Sequence, residues 1–266
     1  MSALIDLYQK YCSYQITDNI QLLEFEIDVE TLRRDMFNLI ANNKFGYHAT
    51  SLRIPVDQDN YIDPNEILEA TGIKSYIYAA ESSKIAALNT TPNDSYLKWH
   101  PDLENSYITT LVPQLEKLCG FNIGRIRLGW LMPDSGYPMH WDLEPMRLHI
   151  PLITNSSSYF IHENKMYTME YGKLYHLITS GIHTAWNFGN LPRLHLIFST
   201  YGDDALQAEI DKLGDLELLQ KNFVDHIPAG IDDTCLAFLL KLSNADEKIQ
   251  TAQTLQIIKN LLLKNQ

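Results

Sequence analysis

The feature that most constrains the fold is a series of short segments between residues 121 and 202 in which apolar and polar side chains alternate with a period of two. Ile126, Leu128 and Trp130 alternate with Arg125 and Arg127. Leu148, Ile150 and Leu152 alternate with Arg147 and His149, and Leu194, Leu196 and Phe198 alternate with Arg193 and His195. Successive side chains of a strand point to opposite faces, so each segment presents one apolar and one polar face. The turn signals PDSG, TNSSS and ENK separate the segments. Closely spaced strands of this kind predict a barrel or jelly roll with a working interior.

The flanking sequence reads differently. Residues 1–120 mix helix and strand: Asp28 is placed to cap a helix with Val29, Leu32, Met36, Leu39 and Ile40 on one face. A second helix is expected from near Asp102 to Cys119, closed by Gly120, with Pro113 at its start or at a kink. The segment from Phe45 to Ile54 and the run SYIYAA from Ser75 read as strands. From Asp203 to Asp233 the chain turns acidic, and residues 203–266 are expected to be helical. Their end, with Ile249, Ala252, Leu255, Ile258, Leu261 and Leu262 on one face, reads as an amphipathic packing helix. The organisation expected is one integrated domain: an N-terminal α/β region over 1–120, a barrel over 121–202, and a C-terminal helical region over 203–266.

Composition narrows the function classes. A net charge of −12 repels phosphate backbones and argues against nucleic acid as a partner. No apolar stretch is long enough to span a membrane, and the beginning MSALIDLYQKYCSYQ lacks a basic and apolar export signal, so a cytoplasmic location is expected. The three cysteines have no CxxC spacing, which suggests neither a zinc ribbon nor a disulfide framework.

Six of the nine histidines fall between residues 140 and 195. His140-Trp141-Asp142 places an imidazole and a carboxylate on one side of an extended segment, where they can converge on one ion. A third ligand would complete a face of two histidines and one carboxylate, leaving open positions suited to Fe(II) oxygen chemistry. The pair alone does not discriminate, because the chain holds a second, His100-Pro101-Asp102. There Asp102 precedes a helical pattern and is a natural cap. The repeated tripeptide Arg-Leu-His, at 147–149 and at 193–195, adds a second signal. If Leu148 and Leu194 pack the outer core, both guanidinium groups point inward, where they need an anion for which a bidentate fork is shaped. The alternatives are that these arginines pair with internal Asp or Glu, or that the barrel faces the other way.

From Gly124 to Thr200 the chain resembles the iron(II) and 2-oxoglutarate dependent oxygenases of the aspartyl/asparaginyl β-hydroxylase group. The resemblance is carried by HWD, RLHIPLITN, YGKLYHL, and HTAWN followed by RLHLIF. The stretch FGYHATSLRIP and the helical C-terminal region are similar to the small bacterial proline hydroxylases of that group. The resemblance implies a fold that is mainly β with α: a double-stranded β-helix (jelly-roll, cupin-like) core with flanking N-terminal helices and a C-terminal helical region. It implies His140, Asp142 and His183 as iron ligands, Arg193 as the partner of the distal carboxylate of 2-oxoglutarate, and Arg147 and His149 lining the same pocket. Asn187 and His195 fall in matching stretches, each with a structural role as the simpler reading. Fe(II), 2-oxoglutarate and O2 are the implied cofactors and co-substrates. Tyr137, Trp141 and Trp186 flank the ligands as candidate apolar walls. With Asp142 present, hydroxylation is the implied outcome.

The expected substrate is a free amino acid or small amino acid derivative, because no repeat-type peptide-binding region accompanies the barrel. The alternatives are an Asp, Asn or other residue in a peptide or protein, a cupin-like metal enzyme that is not an oxygenase, and a noncatalytic binding module. The arginines speak against the cupin-like alternative.

Overall fold

The computed structural model describes residues 3–43, 49–51, 53–55, 96–133, 135–136, 146–162, 165–179 and 183–213. In chain order the elements are α1 (Ala3–Gln9), β1 (Ile20–Leu23), α2 (Val29–Asn43), β2 (Ala49–Ser51), β3 (Arg53–Pro55), β4 (Tyr96–Trp99) and a 3-10 turn (Pro101–Leu103). They continue with α3 (Tyr107–Cys119), β5 (Asn122–Leu131), β6 (Ser135–Gly136), β7 (Arg147–Ile153), β8 (Ser158–His162) and β9 (Lys165–Tyr167). The last are β10 (Leu174–Leu177), β11 (His183–Asn187), β12 (Arg193–Tyr201) and α4 (Asp204–Leu213).

Two antiparallel sheets form the core. The larger has the order β1-β10-β7-β12-β5-β2 and the smaller β6-β11-β8-β9. Read along the chain, β5, β7, β10 and β12 lie in the larger sheet, and β6, the pair β8 and β9, and β11 lie in the smaller. The chain therefore winds back and forth between two facing sheets, which is the topology of a jelly roll, or double-stranded β-helix. The fold is mainly β with helices, as the alternating pattern predicts. A small separate ribbon pairs β3 with β4.

The two faces of the larger sheet divide as the alternation requires. Ile126, Leu128, Leu148, Ile150, Leu194, Leu196 and Phe198 join one cluster with Leu7 and Tyr8 of α1, Leu32, Met36 and Leu39 of α2, and Ile108, Leu111 and Leu115 of α3. Helices thus cover the outer face. Leu131, Tyr175 and Leu177 meet Phe160 and Ala185 of the smaller sheet in a second cluster between the sheets. Arg147 and Arg193, adjacent to Leu148 and Leu194, consequently belong to the inner face.

Local chemistry explains the helix ends. The Asp28 carboxylate accepts from the Thr31 N–H at 3.1 Å and caps α2. α3 starts later than expected: Pro101 and Asp102 form the 3-10 turn instead, and α3 begins at Tyr107, whose N–H donates to the Asp35 carboxylate of α2 at 2.9 Å. Pro113 sits inside α3 rather than at its start. Gly120 closes α3 with φ of 74° and donates to the Glu116 carbonyl at 2.8 Å; a Cβ there would also collide with the Tyr11 carbonyl. The PDSG segment is only partly a turn, because Ser135 and Gly136 pair with β11 as β6. The Trp186 ring lies where a Gly136 side chain would be, so only glycine lets the two strands approach.

Of the strand expected from Phe45 to Ile54, residues 49–51 and 53–54 fall in β2 and β3, whereas residues 45–48 and 52, SYIYAA and the amphipathic end of the chain lie outside the described residues. α4 opens the acidic segment, with the Asp203 carboxylate accepting from the Leu206 N–H at 2.8 Å. Among the described residues, no helix is long and apolar enough to cross a membrane.

Candidate active site

Strand register lays out the inner face of the larger sheet as rows. Ser199 of β12 stands opposite Arg147 of β7; Ile197 stands between Arg127 of β5 and His149 of β7; His195 stands between Gly129 and Pro151; and Arg193 stands opposite Leu131. The two arginines of the repeated tripeptides therefore lie at different depths. Six residues along β12 separate Arg193 from the row of Arg147, about 20 Å of strand. Arg193 is 3% exposed, while Arg147 is half-buried.

His183, the first residue of β11, lies on the facing sheet and is buried. Its ring stacks on Phe160 with centroids 5.4 Å apart and on His162 with centroids 6.4 Å apart. Phe160 also meets the edge of His149 at 6.2 Å, which links His183 across the interior to the larger sheet. His149 and His195 approach through their Nδ1 atoms at 3.4 Å, with the rings nearly perpendicular. For that contact to be a hydrogen bond, one Nδ1 carries a proton and the other accepts it, so the two rings are opposite tautomers. Their Nε2 atoms are buried and have no hydrogen-bond partner among the described residues; one is then a donor and the other an acceptor.

His149, His195 and His162 are held neutral. Burial first, then the nearby Arg193, Arg147 and Arg127 guanidinium groups, keep His149 well below the ordinary imidazole value. Burial, Arg193 and His149 do the same for His195. His162 is pushed down to about 3 by burial and by His183. Among the described residues no three His, Cys, Asp or Glu side chains converge as metal ligands, so of an expected metal site they supply His183 alone, while the buried guanidinium groups are partners for carboxylates and suit an anionic organic ligand.

His140 and Asp142 lie outside the described residues, as do Tyr137 and Trp141. Of the expected ligands and pocket residues, the interior brings together His183, His149 and Arg193, with Arg147 in the row of Ser199. The rival pair is accounted for: His100 Nδ1 accepts from the Asp102 N–H at 3.3 Å, opening the 3-10 turn. Trp186 does not wall the interior. It alternates with inward-facing His183, Ala185 and Asn187, so it points outward and clusters with Ile161 and Phe188.

Asn187 is structural. Its amide donates to the carbonyls of Leu131 at 3.0 Å, Met132 at 3.3 Å and Leu191 at 2.8 Å, and its oxygen accepts from Asn155 and from the Gly189 N–H. It ties the β11–β12 turn to the end of β5, just before Arg193. Sequence reasoning missed Arg127, His162 and Ser199 as inner-face residues. For Arg127 the signal was present in its alternation with Ile126 and Leu128.

Residues 84–202 match the family model described as Aspartyl/Asparaginyl beta-hydroxylase. The match spans β4 to β12, leaves β1 and β2 of the larger sheet outside it, and includes His183, Arg147, His149 and Arg193. The match covers 119 of the 266 residues, just under half of the chain, and is a likeness to that family. No curated protein matches the chain. Solved structures with a similar fold include a prolyl hydroxylase from Trichoplax adhaerens in complex with a hypoxia inducible factor peptide fragment. It shows 10% identity and a TM-score of 0.39, covering 77% of this chain and 92% of that one. A 2OG-Fe(II) oxygenase family oxidoreductase from Burkholderia pseudomallei shows 13% identity and a TM-score of 0.31, covering 57% and 64%. A cupin domain from Bordetella pertussis shows 10% identity and a TM-score of 0.27, covering 29% and 81%. The fold assignment rests on the strand order of this chain.

Proposed function

We propose that this chain is an Fe(II)- and 2-oxoglutarate-dependent dioxygenase that hydroxylates an unactivated C–H bond of a free amino acid or small amino acid derivative, with release of succinate and CO2. The observation that carries the reading is Arg193, buried on the inner face of β12 beside the neutral His149 and His195, with His183 on the facing sheet. His140 and Asp142 join His183 as metal ligands. The Arg193 guanidinium donates to the distal carboxylate of 2-oxoglutarate, and its burial strengthens that contact by excluding water. The His149–His195 pair adds no charge and offers one donor and one acceptor to the cosubstrate.

When bound, the metal supplies oxygen activation; the chain supplies ligands, orientation and a dry interior. A cupin-like enzyme without oxygenation would use the histidines but has no need of a buried arginine at the first position of β12. The working location we propose is the cytoplasm, with small molecules rather than nucleic acid or membranes as partners.

Metal analysis tests the ligand set. His140→Ala, Asp142→Ala and His183→Ala should each lower Fe(II) or Mn(II) occupancy, while His100→Ala should keep it. Full occupancy in His183→Ala together with loss in His100→Ala would move the site to the rival pair.

A further inference from the structure

The fold brings into contact two cysteines that stand 107 positions apart in the sequence. Cys12, in the segment after α1, donates its thiol to the carbonyl of Cys119, the last residue of α3, at 3.2 Å. The neighbours on either side set this register. The Tyr11 carbonyl packs against Gly120, and the Ser13 N–H and hydroxyl both donate to the Leu118 carbonyl, at 3.1 and 2.7 Å. Cys12 therefore faces Cys119 between two fixed contacts. A disulfide needs Cα atoms about 4.4–6.8 Å apart, a separation that segments paired in this way provide.

The two thiols differ in access. Cys12 is half-buried beside the exposed Tyr11 and Ser13, whereas Cys119 is fully buried, and both are free. Burial pushes the Cys12 thiol up to about 11 and the Cys119 thiol up to about 12, so neither is a ready thiolate at neutral pH. This disfavours rapid redox catalysis at the pair. It also makes both sulfurs poor leaving groups, so a bridge between them, once formed, resists reduction.

We propose that Cys12 and Cys119 are a redox modification site, joined into a disulfide by a small disulfide oxidant of the glutathione type. The Cys12 thiolate, its proton lost to water, attacks one sulfur of the oxidant, breaks its S–S bond and releases one small thiol. The Cys119 thiolate then attacks the Cys12 sulfur and releases the second. Two cysteine thiols are oxidised, one small disulfide is reduced to two thiols, and the two protons leave with those thiols.

The bridge ties the segment leading from α1 to β1 onto the end of α3, from which β5 begins. That segment also carries Tyr14, whose hydroxyl reaches His176 of β10 and the Met146 sulfur just before β7. Oxidation thus locks the N-terminal segment against the larger sheet. The inference stands apart from the oxygenase reading.

The test uses the reduced full chain incubated with glutathione disulfide at mildly alkaline pH, which raises the thiolate fraction. Because Cys235 lies outside the described residues, the Cys235→Ser chain is treated in parallel. In both proteins, peptide mapping without reductant should recover the Cys12 and Cys119 peptides as one cross-linked species, lighter by two hydrogens. The oxidised chain should melt about 5–10 °C above the reduced one, as expected for closing a long loop, and excess dithiothreitol should reverse the shift. Cys12→Ser, at the half-buried position, should abolish both the cross-link and the shift; if it does not fold, Cys119→Ala should do the same.

Glutathione retained on Cys12 without transfer to Cys119, or a bridge to Cys235 in place of either partner, would overturn the proposal. So would thiols that all remain titratable after incubation, or a cross-linked chain that melts no higher than the reduced one.

Discussion

Replacing Arg193 by alanine removes the cation at the first position of β12. At 3% exposure the guanidinium is little screened, so its contact with a carboxylate should approach the strength of a sheltered charge-assisted pair. Such bonds contribute about 1.5–3 kcal/mol each, and a bidentate fork makes two, so the floor is about 3 kcal/mol, or roughly a hundredfold in affinity. Metal binding should change little, because His183 is held by β11 and by its stacking on Phe160 and His162, none of which involves Arg193. The assay is calorimetric titration of 2-oxoglutarate into Mn(II)-loaded wild type and Arg193→Ala without oxygen, with circular dichroism confirming that both are folded. Unchanged 2-oxoglutarate affinity would refute the role. Equal loss of metal and 2-oxoglutarate would show that the substitution acts through the fold.

Two further outcomes concern the frame of the site. His176 Nε2 lies 2.8 Å from the Asp18 carbonyl, to which it must donate, so its Nδ1 accepts from the Tyr14 hydroxyl at 2.9 Å; burial pushes its pKa down to about 4. The neutral ring therefore contributes stability that is full above the unfolded value near 6.5 and is lost as pH falls toward 4, about 2 kcal/mol by pH 5. Urea unfolding at pH 7 and pH 5 should show a smaller loss in His176→Gln than in wild type, and equal losses would count against it. Asn187→Ala strands the carbonyls and N–H groups it serves, so stability should fall by about 2–4 kcal/mol, while metal occupancy below the melting temperature stays intact; a thermal melt with metal analysis checks both.

Much of the barrel is legible in the alternating segments because a strand with one face on a helix layer and one on a polar cavity must alternate. The same pattern correctly turns Leu148 and Leu194 outward and Arg147 and Arg193 inward. Depth in the barrel is not legible. The two Arg-Leu-His copies look equivalent in sequence, but pairing with strands dozens of residues away sets Arg193 opposite Leu131 and Arg147 opposite Ser199. Trp186 is misread for a related reason: nearness to His183 in sequence says nothing until the inward face of β11 is fixed. α3 begins at Tyr107 rather than near Asp102 because Asp35 of α2, distant in sequence, receives the Tyr107 N–H. Arg127 shows the same alternation as the tripeptide arginines, yet nothing local distinguishes a strand-face arginine facing solvent from one facing a cavity.

The central claim is that the chain couples oxidation of 2-oxoglutarate to hydroxylation. The most direct measurement is turnover with labelled O2 over a panel of free amino acids and short peptides, quantifying succinate and product together by mass spectrometry. The account predicts Fe(II)-dependent succinate formation and, with the true substrate, a gain of one oxygen atom from O2 for each succinate, both abolished in His183→Ala. A product formed without consuming 2-oxoglutarate, or a chlorinated product when chloride is present, would contradict it.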